Sequence, residues 1–540
     1  MDSRLVIEQQ KPSTWKLAPQ IAPLTQGLVV NGYGSFPTGL ALFLQLKQGQ
    51  GGGWLKGLRS VLEVTPAVPP SEREKASVPY ACAIAFSYTG LKEMGMPETA
   101  LASFSRPFRE GMFQEDRMRR LGDRRGGKWS ATVSLDGPVW SANTPLRTPV
   151  DHMVGAYDIA MEPDEEALVT KTTVHAVVMI YTREDGEAER LLELLTPVLQ
   201  NNGISLVRRQ ELRLDSENNL SREHFGFADG LSQPEPFDEE GAVTLDGKNV
   251  TEAQPVQGVP LGEFLIGYRN GHHEKAPGPV VPGDSPDRPT LKPQEAGLFP
   301  HAEAEGFYDF GLNGTYMVIR ELNQDVAGFW KSMEENAAEI RRRDPNGSTG
   351  VTPEWIAERI IGRSKDGHLL CPAGYLKPDS NGFADNSYLF LKDDPHGIGC
   401  PVGSHVRRAF PRDALAPTAA DAKTLLSAAN NHRILRRGRK FGLKLEKLAA
   451  DDGRTRGLLF VCLNTDIARQ FEFIQQTWLL NSDFAVLFDE VDPLVGQSGK
   501  MTIRDKTLRR TVQVQTYVTL VGGDYFFLPS LPALKYLEML

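Results

Sequence analysis

The chain has 540 residues, a formal net charge of −9 and a sequence pI near 5.7. Hydrophobic residues make up 40% of it and charged residues 24%, which is typical of a soluble globular protein and not of a disordered one. The acidic balance disfavours nucleic acid as a partner, because phosphate binding relies on a basic surface. The length predicts two or more domains, or one enlarged double domain.

The spacing of the cysteines and the composition of the N-terminal segment are used to predict where in the cell the protein is located. The four cysteines are widely spaced and form no CxxC pair, which disfavours both a disulfide framework and a zinc–thiolate site. The N-terminal segment has no apolar signal region and no twin arginine, and no apolar run is long enough to span a bilayer. A cytoplasmic protein without a membrane partner is predicted. The oligomeric state stays open, and a homo-oligomer is compatible with the sequence.

Four segments share one layout, a short apolar run with strand composition followed by an amphipathic stretch. In chain order they begin at Ala81, His175, Gly314 and Gly457. In the last one, Ile467, Phe471, Ile474 and Trp478 recur at helical spacing. Two strand–helix units in each half of the chain predict two α+β sandwiches, each a sheet with helices on one face. The GQGGGW loop near Gly49 and the Pro- and Gly-rich stretch 270–297 read as irregular connections, and 330–400 reads as an insertion.

Three short motifs carry residues suited to chemistry. In EHFGFADGLSQP, Gly226 and Gly230 bracket Asp229, and glycines at these positions allow a sharp turn that projects a carboxylate into a pocket. Taken alone, an aspartate on such a turn more often caps a helix. In GCPVGSHVRRAFPRD, His405 lies among arginines that suit planar carboxylates. Taken alone, this histidine is more often structural.

The third motif, NHRILRRGRKFG, places Arg436 after two apolar residues. Read by itself, the basic run 433–440 is a solvated or anion-binding surface patch, and nucleic acid is disfavoured by the overall charge.

Together the three motifs resemble the dye-decolourising peroxidase family, in its longer subgroup. The GxxDG signature appears as Gly226 to Gly230, the histidine segment runs from Cys400 to Arg412, and the arginine segment ends at Arg436. QGLVVNGYG near Gln26 looks like the family's first strand, and NGTYMVIRELNQDV near Asn313 also looks like a family segment.

The resemblance implies an α+β fold of two ferredoxin-like domains with haem between them. The corresponding limits are 25–215 for the first domain, 216–300 for the GxxDG motif with an irregular connection, and 301–540 for the second, haem-binding domain with its insertion. Haem b is implied as a non-covalent cofactor, in agreement with the absence of a CxxCH motif.

The resemblance also implies individual roles. His405 is the expected proximal ligand of the haem iron, and Asp229 and Arg436 are the expected catalytic residues. Arg412, Arg320, Gly226 and Gly230 are the expected cofactor-binding residues. The other ring nitrogen of His405 should donate to a carboxylate or to a carbonyl group; Asp483 is one candidate, and Asp489 and Asp492 lie close to it in sequence.

The function that follows is a hydrogen peroxide oxidoreductase, in which a ferryl intermediate oxidises bulky organic donors such as dyes and phenolics. Two alternatives stay open. A haem-binding protein for haem handling or iron release would share His405 but would not need Asp229 and Arg436 together. A non-catalytic member of the fold would have lost haem altogether.

Overall fold

The N-terminal half forms a four-stranded antiparallel sheet. The computed structural model describes residues 15–69, 79–125, 128–142, 172–214, 216–217, 220–285, 288, 290–375 and 386–540. The strands are β1 (Thr38–Gln45), β2 (Tyr80–Phe86), β3 (Ala176–Thr182) and β4 (Ser205–Arg213), in the order β4-β1-β3-β2. Helices α1 (Trp54–Val61) and α2 (Glu187–Asn201) follow β1 and β3. This order and these crossovers make the half a ferredoxin-like unit.

The C-terminal half repeats that topology. Its strands are β5 (Thr315–Gln324), β6 (Arg439–Phe441), β7 (Gly457–Asn464) and β8 (Val518–Leu528), in the order β6-β7-β5-β8. Helix α3 (Val326–Arg343) follows β5. A π-helical segment, built from Ala468–Glu472 and Ile474–Leu479, follows β7. The predicted α+β fold of two ferredoxin-like units is confirmed.

The two sheets join at both edges into one closed ring of eight strands. Lys440 of β6 pairs with Arg213 of β4, and Phe527 of β8 pairs with Phe86 of β2. Closure leaves no free edge between these eight strands. Buried side chains from both halves fill the interior, among them Phe43, Met179, Tyr181, Met317, Ile319, Leu459, Val461 and Phe526.

The outer face of the N-terminal sheet is densely covered. All seven residues of β3 are buried, because one set faces the barrel interior and the alternate set faces the helices. Leu55 and Leu58 of α1 and Leu195 of α2 are buried in the same core as the outward residues of the sheet. The outer face of the C-terminal sheet instead borders the large cavity described below.

The remaining elements surround these two units. The other labelled helices are α4 (Pro353–Ile361), α5 (His405–Ala409), α6 (Ala422–Asn430) and α7 (Leu531–Leu537). The short helices are Ala22–Leu24, Gly27–Val29, Tyr88–Glu93, Glu98–Ala102, Arg106–Glu110, Glu115–Arg120, Leu261–Glu263, Pro293–Ala296 and Phe390–Asp393. The remaining strands of the described residues are Lys16–Leu17, Arg124–Arg125, Lys128–Trp129, Trp140–Ser141, Thr172–Thr173, Ser216–Glu217, Leu220–Ser221, Glu235–Phe237, Val243–Leu245, Lys248–Asn249, Gly258–Pro260, Val280–Pro282, Phe307–Asp309, Leu370–Cys371, Gly374–Tyr375, Leu435–Arg436, Gly499–Asp505 and Leu508–Val514. None of the helices in the described ranges is long and apolar enough to cross a membrane.

The four predicted strand–helix units are confirmed, and two other predictions need correction. QGLVVNGYG near Gln26 is not the first strand: Gly27–Val29 forms a short 3₁₀ turn, and β1 begins at Thr38. The start of the predicted insertion belongs to α3, because this helix runs without interruption to Arg343. Residue 215, the predicted end of the first domain, lies outside the described residues, and the domain limits stay predictions.

Candidate active site

A cavity of about 2100 Å³ lies against the outer face of the C-terminal sheet. Arg320, Leu322 and Gln324 of β5 form part of its wall, because alternate residues of a strand point to the same side. All three sequence motifs also contribute, through Asp229, His405 and Arg436 among others. The tertiary structure therefore brings together residues that are far apart in the chain.

His405 begins helix α5 and is held by a buried carboxylate. Its Nδ1 lies 3.0 Å from Oδ2 of Asp492, whose side chain is fully buried. Asp492 also accepts the backbone N–H groups of Leu494 and Val495, at 2.9 and 2.8 Å. The ring lines the cavity, so Nε2 is the nitrogen left to act as a ligand.

The His405–Asp492 pair favours the charged forms of both groups. Burial opposes the imidazolium, but the Asp492 carboxylate and its hydrogen bond raise the pKa of His405 above its ordinary value. Burial likewise opposes ionisation of Asp492, but His405 and the backbone N–H of Val495 lower the pKa of this carboxyl. An imidazole that donates from Nδ1 to a carboxylate is a more basic ligand at Nε2.

The prediction that Asp483 is the hydrogen-bond partner of His405 is wrong. The Asp483 side chain is exposed, and its carboxylate accepts only a 3.4 Å hydrogen bond from Ser482 among the contacts of the described residues. The chain turns back after this loop, and the return brings Asp492 under the histidine. An aspartate followed by proline in an apolar stretch, EVDPLV, was the available signal for a buried carboxylate.

Two arginines that follow His405 are structural. Arg408 is fully buried and donates to the carbonyl groups of Trp478 and Asn481, at 2.9 and 3.0 Å. Arg407 donates to the carbonyl groups of Asp394 and Cys400, both at 3.0 Å. These bonds tie α5 to the π-helical segment and to the preceding loop, which fixes the position of the histidine.

Asp229 projects from a tight turn, as the glycine spacing predicts. Gly226 and Gly230 have φ values of 99° and 78°, a region that favours glycine. The backbone N–H of Asp229 donates to Ser221, and that of Ala228 donates to Lys365, both at 2.9 Å. Gly230 and Asp229 line the cavity, whereas Gly226 does not; Gly226 shapes the turn and is not a contact residue of the cavity.

Arg436 lies opposite Asp229. Its Nη1 is 3.9 Å from Oδ1 of Asp229, and both side chains remain partly exposed to the cavity, by 37% and 45%. The side chain of Gln233 holds the backbone of Arg436 at both ends: it accepts from the N–H at 3.2 Å and donates to the carbonyl at 3.1 Å. Gln233 belongs to the same motif as Asp229, so one segment positions both polar partners.

One wall of the cavity is formed by a cluster of four arginines, Arg363, Arg412, Arg433 and Arg436. Burial and the neighbouring guanidinium groups lower the pKa of Arg363 and of Arg433 to about 9. Nη1 of Arg433 is buried without a hydrogen-bond partner among the described residues. Arg412 has a φ of 55°, a strained conformation for a residue with a side chain. Such a wall favours an anionic group.

Arg320, predicted to bind the cofactor, is already paired with a carboxylate. Its Nη1 and Nη2 donate to the two oxygens of Asp123, at 3.1 and 2.5 Å, and both side chains are buried. This bidentate pair lies in the cavity wall but leaves Arg320 no excess charge for an anionic ligand. Its predicted role stays untested.

The cavity fits haem in three respects. One ring nitrogen of His405 is engaged and the other is left for a metal. The arginine cluster, with its unpartnered donor, suits the two carboxylates of a porphyrin. The wall also has an apolar part that suits a flat macrocycle, comprising Leu322, Ile434, Leu435, Phe460, Phe471, Ile474 and Leu479.

Comparison with curated proteins gives relatives of a single kind. A multifunctional dye peroxidase from an Amycolatopsis species is 27% identical over 385 residues, which cover 67% of this chain and 71% of the relative. A dye-decolorizing peroxidase from Mycena epipterygia is 25% identical over 402 residues, which cover 67% and 66%. The matched part thus spans about two thirds of the length of these relatives. No family model matches the chain.

Solved structures give the same fold over nearly the whole chain. A DyP-type peroxidase from an Anabaena species is 20% identical with a TM-score of 0.63, over 98% of this chain and 100% of that one. A dye-decolorizing peroxidase in complex with 2,6-dimethoxyphenol is 20% identical with a TM-score of 0.64, over 97% and 100%. In sequence and in fold, this chain is therefore similar to dye-decolourising peroxidases.

Proposed function

We propose that this chain is a haem b peroxidase that reduces hydrogen peroxide and oxidises bulky organic donors. The observation that carries the proposal is the meeting of His405–Asp492 and Asp229–Arg436 in one cavity. An imidazole ligand alone would serve any haem protein, whereas a carboxylate and a guanidinium next to each other are suited to breaking an O–O bond.

His405, Arg412 and Arg433 would hold the cofactor. His405 offers Nε2 to the iron, Arg433 offers its buried Nη1 to a porphyrin carboxylate, and Arg412 adds positive charge in the same wall. No covalent attachment is proposed, because the sequence has no CxxCH motif. When bound, haem supplies the redox chemistry, and the protein supplies ligation, proton handling and electrostatics.

Asp229 and Arg436 would act on the peroxide. Hydrogen peroxide must lose a proton from one oxygen and gain one on the other, and the part-exposed carboxylate of Asp229 can do both in turn. The guanidinium of Arg436 stabilises the negative charge that develops as the O–O bond breaks. Gln233 fixes the backbone of Arg436, and with it the point from which the side chain extends toward Asp229.

The experiment that tests the proposal is an absorption spectrum of the haem-loaded protein before and after one equivalent of hydrogen peroxide. A Soret band that changes within the mixing time, followed by its return on addition of a phenolic donor, is expected. A Soret band indifferent to peroxide would instead support haem handling. Failure to take up haem would support a non-catalytic member of the fold. The cytoplasmic location stays a prediction.

A further inference from the structure

A second carboxylate, Glu223, lies at the base of the turn that carries Asp229. Its Oε2 accepts the backbone N–H of Phe225 at 2.8 Å, and its Oε1 accepts that of Phe227 at 2.9 Å. Gln324 of β5 donates a third hydrogen bond to Oε2, at 2.9 Å. One carboxylate therefore closes the turn from inside and ties it to the sheet.

The backbone of the same turn is closed as well. The N–H of Glu223 donates to Phe227, and the N–H of Gly226 donates to Glu223, both at 3.0 Å. Phe225 and Phe227 are buried in the core that includes Phe329 of α3, so packing also holds the loop in place. Glu223 lines the cavity that Asp229 also lines.

We propose that Glu223 is a positioning residue for Asp229, which it holds in reach of Arg436 through the two backbone amides of the turn. This inference rests on the proposed function, because it concerns the peroxide step. An ionised carboxylate is an acceptor at both oxygens and takes all three hydrogen bonds at once. A glutamine at this position would turn its own N–H₂ group toward the N–H of Phe225 or of Phe227, and one of these bonds would be lost.

The test uses haem-loaded protein and the rate constant for its reaction with hydrogen peroxide, followed at the Soret band. Glu223→Gln should bind haem as the unchanged protein does but react about 10- to 100-fold more slowly, because small displacements of a reacting group have effects of this order. The rate constant of the later step, in which the donor is oxidised, should not change, since the turn acts on peroxide alone.

A double-mutant cycle separates positioning from a general structural effect. In an Asp229→Asn background, Glu223→Gln should slow the reaction by less than about threefold, because residues that act as a unit are not additive. The same factor in both backgrounds would overturn the inference. So would an unchanged rate for Glu223→Gln alone.

The chain offers a matched control. Asp238 accepts the N–H groups two and four residues ahead, Glu240 at 3.1 Å and Ala242 at 2.9 Å, as Glu223 does, but outside the cavity wall. Asp238→Asn should leave the peroxide rate within about threefold of the unchanged protein. If Asp238→Asn slows the peroxide reaction as much as Glu223→Gln does, the effect does not depend on the position of the turn beside the cavity. That outcome would overturn the inference.

A second variant covers the case in which Glu223→Gln does not fold. Gln324→Leu removes one of the three hydrogen bonds and leaves the turn amides paired. It should slow the peroxide reaction by about three- to tenfold, and not in the Asp229→Asn background. An unchanged rate in the Gln324→Leu variant would overturn the inference. If the protein without any substitution does not react with peroxide at all, the proposed function itself is overturned.

Discussion

The two halves of this molecule share one topology but differ in what covers the outer face of the sheet. In the N-terminal half, α1 and α2 pack directly on the strands, and the space between is filled by residues such as Leu55 and Leu195. In the C-terminal half, the corresponding face borders a cavity of about 2100 Å³. The same ferredoxin-like unit thus forms a packed layer in one half and a binding site in the other.

The difference arises from the connection between the first crossover helix and the second strand. In the N-terminal half this connection runs from the end of α1 to Tyr80, whereas in the C-terminal half it runs from Arg343 to Arg439. The longer connection carries His405, Arg412 and Arg436 to the face of the sheet. A loop insertion of this kind adds a site without altering the scaffold.

The largest expected effect is on haem content, and it is tested by replacing one histidine in each half of the molecule. His405→Ala should lose most of its haem, because the cavity then has no imidazole for the iron. Haem content per folded protein is the measurement. His175→Ala is the matched control: His175 is a buried N-terminal histidine whose Nδ1 accepts from Leu46 at 2.9 Å, and its loss should leave haem content unchanged. Normal haem content in the His405 variant would remove the ligand assignment.

The second largest expected effect is on the rate of the peroxide reaction when Asp229 or Arg436 is replaced. Asp229→Asn and Arg436→Leu should retain haem but react with hydrogen peroxide about 100- to 1000-fold more slowly, because each loses a group that acts on the O–O bond. Stopped-flow measurement of the Soret change gives the rate constants. Asp366→Asn is a suitable control, since this carboxylate pairs with Arg222 and does not line the cavity. Unchanged kinetics in both variants would refute the mechanism.

The third prediction compares packing on the two faces in the haem-free protein. Leu55→Ala should lower the free energy of unfolding by about 2–5 kcal/mol, because it leaves a hole in a filled layer. Leu458→Ala, at a half-buried residue on the cavity wall, should cost less than about 1 kcal/mol. Urea midpoints check both values. Equal losses would show that the C-terminal face is packed as tightly as the N-terminal one.

The smallest expected effect is a pH dependence. Burial raises the pKa of Glu223 to about 7, against the hydrogen bonds of Phe227, Phe225 and Gln324, and nearby Asp229 adds to the rise. The carboxylate is therefore ionised above about pH 7 and neutral below it. The rate ratio between the unchanged protein and Glu223→Gln should be largest above pH 7 and should fall toward one as pH decreases. Rate constants from pH 5 to pH 9 check this, and a ratio independent of pH would contradict it.

Local patterns in the sequence determined much of the architecture. Apolar runs of strand length followed by helical periodicity predicted the units that begin at Ala81, His175, Gly314 and Gly457, and the structure confirms all four. These strands and helices can be predicted from the sequence because the pattern of each depends on neighbouring residues in the chain. The glycines around Asp229 likewise predicted a turn, since positive φ is a local requirement.

Contacts between distant segments were decided only by the tertiary structure. The sequence offered three aspartates for His405, and the return of the chain after an exposed loop selected Asp492 over Asp483. Only the fold shows that Asp123, almost 200 residues away in the chain, pairs with Arg320. Strand β1 lacks the alternating pattern of a half-exposed strand, because both its faces are buried. In each case the deciding partner lies far along the chain, where periodicity and spacing carry no information.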